Sequence, residues 1–138
     1  MTEYEIIYLF SEYLNRTWEV MQFWASVSFG LIALSHLGAR YLNALATVIV
    51  SAFYIAFTLF VMNILRINGI VGNGFLTELS SLKTLGPGAQ KIIATAPTSL
   101  EMTAIITTFF GLFLGSLVFL WLSFWRAHKA KQPATVPN

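Results

Sequence analysis

The chain reads as an all-α membrane protein with three transmembrane helices, and three observations predict that class. First, Val20 to Ala39, Tyr41 to Leu65 and Met102 to Trp125 contain no Asp, Glu, Lys or Arg, while Glu19, Arg40, Arg66, Glu101 and Arg126 bracket them. At 1.5 Å per residue each run reaches roughly 30 Å or more, enough to cross a hydrocarbon core. Second, 57% of the residues are hydrophobic and only 10% charged, against about 25% charged in a soluble domain. Third, lipid offers the backbone no hydrogen bonds, which leaves the helix as the form for such runs.

Residues 1–17 form an amphipathic N-terminal segment. At 100° per residue, Ile6, Ile7, Leu9, Phe10, Tyr13 and Leu14 gather on one side, and Tyr4, Glu5, Tyr8, Ser11, Glu12 and Asn15 on the other. No Gly or Pro precedes Gly30, so two forms are open. Either this helix lies on the membrane and bends into the first span near Asn15 to Thr17, or it extends that span. The start Met-Thr-Glu-Tyr-Glu is acidic where a secretory signal is basic, so the first span is expected to be retained.

Span 1 covers 18–38, with Trp18, Phe23 and Trp24 at headgroup level and Gly38 as terminator before Arg40. Span 2 covers 42–66, close enough to make an antiparallel hairpin with span 1. An outer loop, 67–98, follows, in which Gly69, Gly72 and Gly74 break regularity. It holds a short amphipathic helix capped by Asn73, with Phe75, Leu76, Leu79 and Leu82 on one face, flanked by Glu78 and Lys83. Gly86-Pro87-Gly88 stops it, and Ala89 to Ala96 has room for one more turn. Span 3, 99–126, opens on a capping box of Thr98 and Glu101 and closes on Trp121, Phe124, Trp125 and Arg126. Residues 127–138 are a basic tail, expected to be flexible.

Charge sets the orientation. Arg126, Lys129 and Lys131 face no acid near the C-terminus, whereas Glu3, Glu5, Glu12 and Glu19 outnumber Arg16 at the N-terminus. The positive-inside rule then places the C-terminus in the cytoplasm, the N-terminus and long loop outside, and the chain in a bacterial inner membrane. Basic residues beside spans answer to the bilayer and give no reason to expect nucleic acid.

Helices in lipid meet through small and polar residues. Helix 1 offers Gln22, Ser26, Ala33, His36 and Arg40 with Gly30 at the edge; helix 2 offers Asn43, Thr47, Ser51, Tyr54 and Thr58. Helix 3 offers Ala104, Thr108, Gly111 and Gly115, the glycines forming a GxxxG element. These stripes serve three uses: packing within one bundle, docking a second protein, or, for the hydroxyl stripe of helix 2, lining a pore. Trp18, Trp24, Arg40, Arg66, Trp121, Trp125 and Arg126 are the membrane-interface anchors.

No catalytic, cofactor or metal residue emerges. The chain has no Cys, which removes disulfides and thiolate sites. His36 is the one His inside a span, and a hydrogen bond to Ser35 or to a helix 2 carbonyl is its expected role; a b-type haem takes a His from each of two helices. No Asp is present to pair for hydrolysis, and Glu19 and Glu101 stand at span ends, away from where ion transport places acids. A small non-enzymatic accessory or assembly subunit fits best, its partners the lipid bilayer and other membrane subunits or copies of itself. In size, topology and basic tail the layout also resembles small three-span phage holins, which implies a homo-oligomeric pore lined by Asn43, Thr47, Ser51, Tyr54 and Thr58.

Overall fold

The computed structural model describes residues 1–130. They form α1 (Glu3–Leu37), a 3-10 turn (Ala39–Tyr41), α2 (Ala44–Ser80), α3 (Pro87–Ala94) and α4 (Ser99–Lys129). Of these, α1, α2 and α4 are long and apolar enough to cross a membrane. The expected flexible tail beyond residue 130 lies outside the described residues.

The long helices overrun their predicted bounds. α1 is one helix of 35 residues, so the N-terminal segment extends span 1 and no break falls at Asn15 to Thr17. Local bonds suit this: Thr17 Oγ1 donates to the Tyr13 carbonyl at 2.8 Å, Asn15 to Glu19 at 2.9 Å, and Arg16 pairs with Glu12 at 3.2 Å. α4 likewise runs on to Lys129, drawing the first residues of the predicted tail into the helix.

α2 departs most. It passes through Gly69, Gly72 and Gly74 without interruption, and Asn73 is a mid-helix residue and not a cap. A helical Gly costs about 0.5–1 kcal/mol relative to Ala, so three give a deficit of roughly 1.5–3 kcal/mol. Leu79, 1% exposed, and the Phe75 ring, 5.7 Å from Tyr13, lie on that continuation. Each such side chain contributes about 1.5–3 kcal/mol on full burial, enough to offset the glycines. Gly72 faces Phe10, and an added Cβ would sit 3.7 Å from the ring, an ordinary contact.

The turn between α1 and α2 needs its glycine. The Gly38 amide bonds the Leu34 carbonyl at 2.8 Å, and a Cβ there would stand 2.8 Å from the same oxygen. Asn43 Oδ1 then accepts from the Ala46 amide at 2.7 Å and caps α2.

The chain divides into two compact units: Met1–Phe23 with Leu59–Ile106, and Trp24–Thr58 with the chain from Thr107 on. The first has an apolar centre of Ile6, Leu79 and Ala89, with Phe75, Leu82 and Ile92 packed around it. Glu3 reaches into it: its carboxylate accepts from the Gly86 amide at 2.9 Å, at the N-terminus of α3, where Pro87 opens the helix. A Cβ on Gly86 would sit 2.8 Å from that carboxylate, so a larger residue would push the Glu3 side chain aside. The second unit centres on Leu31, Tyr54 and Leu120, with Val27, Val50, Phe113 and Leu117 around them.

Two capping boxes begin helices. Thr98 and Glu101 bond as predicted, amide to carboxylate at 2.8 Å and amide to hydroxyl at 3.3 Å. Thr2 and Glu5 repeat the same pair of bonds at 2.8 and 3.3 Å at the start of α1, a box the sequence reading passed over.

Two outcomes follow. Glu3→Ala removes the acceptor at the α3 N-terminus, a loss of about 1 kcal/mol, and should speed amide hydrogen exchange in α3 about five-fold. The Glu5 carboxyl is held below its ordinary value, first by the Thr2 amide and then by the Thr2 hydroxyl. Its contribution is therefore present above the ordinary carboxylate value and lost as pH falls through the lowered one. NMR titration should show the first turn of α1 loosening at that lowered pH in the wild type, and no such step in Glu5→Gln.

Candidate functional site

Every buried polar residue among those described is a hydroxyl residue, and all of them belong to the second unit: Ser28, Ser35, Thr47, Ser51, Thr58, Ser116 and Ser123. They lie on a repeated spacing. Trp24, Ser28, Leu31 and Ser35 on α1 match Thr47, Ser51, Tyr54 and Thr58 on α2, each advancing by four, three and four residues. On α4 Phe109, Phe113, Ser116 and Leu120 follow the same rule. This heptad spacing keeps one stripe of a helix against its neighbour.

The hydroxyls are consumed inside the bundle. Trp24 Nε1 donates to Thr58 Oγ1 at 3.1 Å, tying α1 to α2. Ser28 donates to the Trp24 carbonyl at 2.9 Å and meets Tyr54 Oη at 2.7 Å. A serine hydroxyl has one proton, so Tyr54 is the donor in the second bond. Ser35, Thr47, Ser51 and Ser116 return to the carbonyl four residues back at 2.6–2.9 Å. No fully buried side-chain nitrogen or oxygen among the described residues lacks a partner. The Trp24 indole also stacks on Phe109 of α4, centroids 3.9 Å apart and planes within 15°.

Outside the bundle the chemistry reverses. Phe29, Leu34, Phe53, Leu114 and Val118 are exposed, Phe53 by 75%. The first unit differs in its interior, whose buried centre is Ile6, Leu79 and Ala89.

Against this geometry the residues nominated from sequence separate. Thr47, Ser51, Tyr54 and Thr58 share the buried α2 stripe, while Asn43 is an exposed cap. On α1 the nominated Ser26, Gly30, Ala33 and His36 are exposed, and the buried stripe lies on Trp24, Ser28, Leu31 and Ser35. Trp24, expected as an interface anchor, is 3% exposed and belongs to the core; Trp18, Trp121 and Trp125 are outward. Ser35 bonds the Leu31 carbonyl and leaves His36 with a ring contact to Phe119 at 6.5 Å. Arg40, Arg66 and Arg126 are exposed, Arg66 donating to Asn63 at 3.3 Å.

On α4, Ala104, Thr108, Gly111 and Gly115 are all exposed, and a Cβ on either glycine would meet no atom within 4 Å. The small face of this helix therefore takes no part in packing the chain. The residues missed from sequence, Ser28, Ser35 and Ser116, carried a signal in the four-three-four spacing shared by the three helices.

A double-mutant cycle of Trp24→Phe and Thr58→Val should return a coupling near 0.6 kcal/mol, and no more than about 1.7, the range for hydrogen bonds between membrane helices. Reversible unfolding in detergent measures it. A coupling indistinguishable from zero would mean that the stack on Phe109 alone holds Trp24.

No protein-family model, curated protein or solved structure matches this chain.

Proposed function

We propose that the chain is a small non-enzymatic integral membrane protein that acts as an accessory or assembly subunit of a larger membrane complex. The observation that carries this reading is the open face of α4, where Gly111 and Gly115 lie exposed with no neighbour. Small residues let helix backbones approach closely, and in lipid such contact is a main source of association. The hydroxyl stripe of α2 supports the same choice over a pore, because Thr58 and Tyr54 are bonded to α1 and Thr47 and Ser51 to their own helix.

Lipid is the surrounding that suits the second unit, with its apolar outside and bonded hydroxyls within. All six acids lie in the first unit, and Arg40, Arg126, Lys129 and Lys131 are the charges of the second stretch. That segregation fits a bacterial inner membrane with the N-terminus outside and the C-terminus cytoplasmic. Protease access to a C-terminal tag in sealed inverted vesicles tests the orientation; a protected tag reverses it.

Gentle extraction of the tagged chain from its own membrane should bring down foreign subunits in fixed ratio. Gly111→Leu with Gly115→Leu should release them while leaving the thermal midpoint of the chain within about 2 °C, since a Cβ at either position has open space around it. A homogeneous single-chain particle from the wild type would overturn the proposal and turn attention to conductance in liposomes.

A further inference from the structure

The outer face of α4 carries an open apolar hollow of about 610 Å³, walled entirely by the stretch of that helix in the second unit. Two rows of residues spaced by four make it: Leu117, Trp121, Trp125 and Lys129 on one side, Val118, Leu122 and Arg126 on the other. Rows of that spacing are the ridges of a helix surface, and the gap between two of them is the groove that a ridge of a second helix enters. Among the described residues none enters it, and Val118, Leu122 and Trp125 are exposed. Gly111 and Gly115 continue the face toward the start of the helix, where an added Cβ meets no atom within 4 Å.

Charge is the second observation, and it selects the occupant. Arg126 and Lys129 close the groove at one end, both exposed, and neither is ion-paired among the described residues. The second unit holds no Asp or Glu to offset them. A second copy in the same orientation would set these cations against their own counterparts, a contact that like charge disfavours. Lipid chains fill a surface of any contour and gain nothing from a ridge-and-groove fit, whereas close packing is a main source of association between helices in lipid.

We infer that this groove takes one transmembrane helix of a foreign subunit, with an Asp or Glu at the level of Arg126 and Lys129 and bulky side chains against Gly111 and Gly115. The inference rests on the accessory-subunit reading above and names the partner of that face. Arg126 ends the charge-free run that begins at Met102, so the carboxylate meets it at the border of the hydrocarbon, where a charge pair is screened less than in open water. The planar guanidinium holds both carboxylate oxygens at once, and the Lys129 ammonium adds a second charge without a fixed direction. An acid at the far end of the partner helix would leave both cations uncompensated, so the pair also fixes the direction in which that helix lies.

The test uses the full-length chain in its own membrane, with photoreactive benzoylphenylalanine in place of Leu122 and the crosslinked peptide sequenced. The product should be an apolar segment of a foreign chain with an Asp or Glu within about two turns of the crosslinked residue. The same probe in place of Phe53, exposed on α2, should give none of it. Arg126→Gln with Lys129→Gln should lower the yield about five-fold, with an unchanged circular dichroism spectrum. Arg126→Glu with Lys129→Glu should lower it about ten-fold or more, and replacing the mapped carboxylate of the foreign chain by lysine should restore it. A crosslink to lipid alone, to a second copy, or to a segment without an acid overturns the inference, as does a failed restoration. Foreign subunits that co-purify but never crosslink at Leu122 sink only this groove, while a homogeneous single-chain particle sinks the accessory reading with it.

Discussion

The hydrogen bond from Trp24 to Thr58, with the indole laid on Phe109, is the contact on which the second unit depends. One side chain on α1 meets α2 through its N–H and α4 through its ring face. The surfaces on either side of these helices are alike in hydrophobicity, so burial of Phe or Leu does little to select one packing over another. A directional bond and a stacked pair do select. Their individual magnitudes are modest, about 0.6 kcal/mol for a hydrogen bond between membrane helices and about 0.5–1.5 for an aromatic pair. What they define is register: shifting α1 by one residue would separate both contacts at once and leave the indole N–H and the Tyr54 hydroxyl unbonded.

The two units solve the problem of cohesion by opposite means. Ile6, Leu79 and Ala89 exclude water from one interior, and the residues around them are aliphatic or aromatic. Ser28, Thr47, Thr58 and Ser116 join Leu31, Tyr54 and Leu120 in the other, bonded to carbonyls, to the Tyr54 hydroxyl or to the Trp24 indole. The same helices, α1 and α2, supply both kinds of face along their length, with apolar contacts at Ile6 and Leu79 and hydroxyl contacts at Ser28 and Thr58. Acidic residues follow this division and are confined to the first unit.

The helical class and the three apolar runs were legible because they rest on composition and run length, which no tertiary contact overrides. The Thr98 cap was legible for the same reason, being local. The end of α2 was not. Gly69, Gly72 and Gly74 are a genuine local signal for a break, and only contacts from Phe10, Tyr13 and Ile6, more than fifty residues away in the chain, outweigh it. Smallness alone does not identify the inward face of α1. Ser26 and Ser28 are equally small, and the heptad continuing through Leu31 and Ser35 decides which one points inward. Trp24 was placed at a membrane boundary by its residue type, whereas its polar tip found a hydroxyl partner inside the bundle.

The bond from Gly86 to Glu3 joins residues 83 apart, while that from Trp24 to Thr58 spans 34. In closure entropy the difference is little more than one doubling, roughly 0.6 kcal/mol. In time it is larger. Synthesis at about 5–20 residues per second delivers Gly86 a few seconds after Thr58. The α1–α2 pair of the bundle can therefore close while Ile6, Ile7 and Phe10 still wait for the segment that covers them. During that interval the N-terminal helix is a detached apolar ribbon, and chain growth itself acts as the clock that decides how long it stays so.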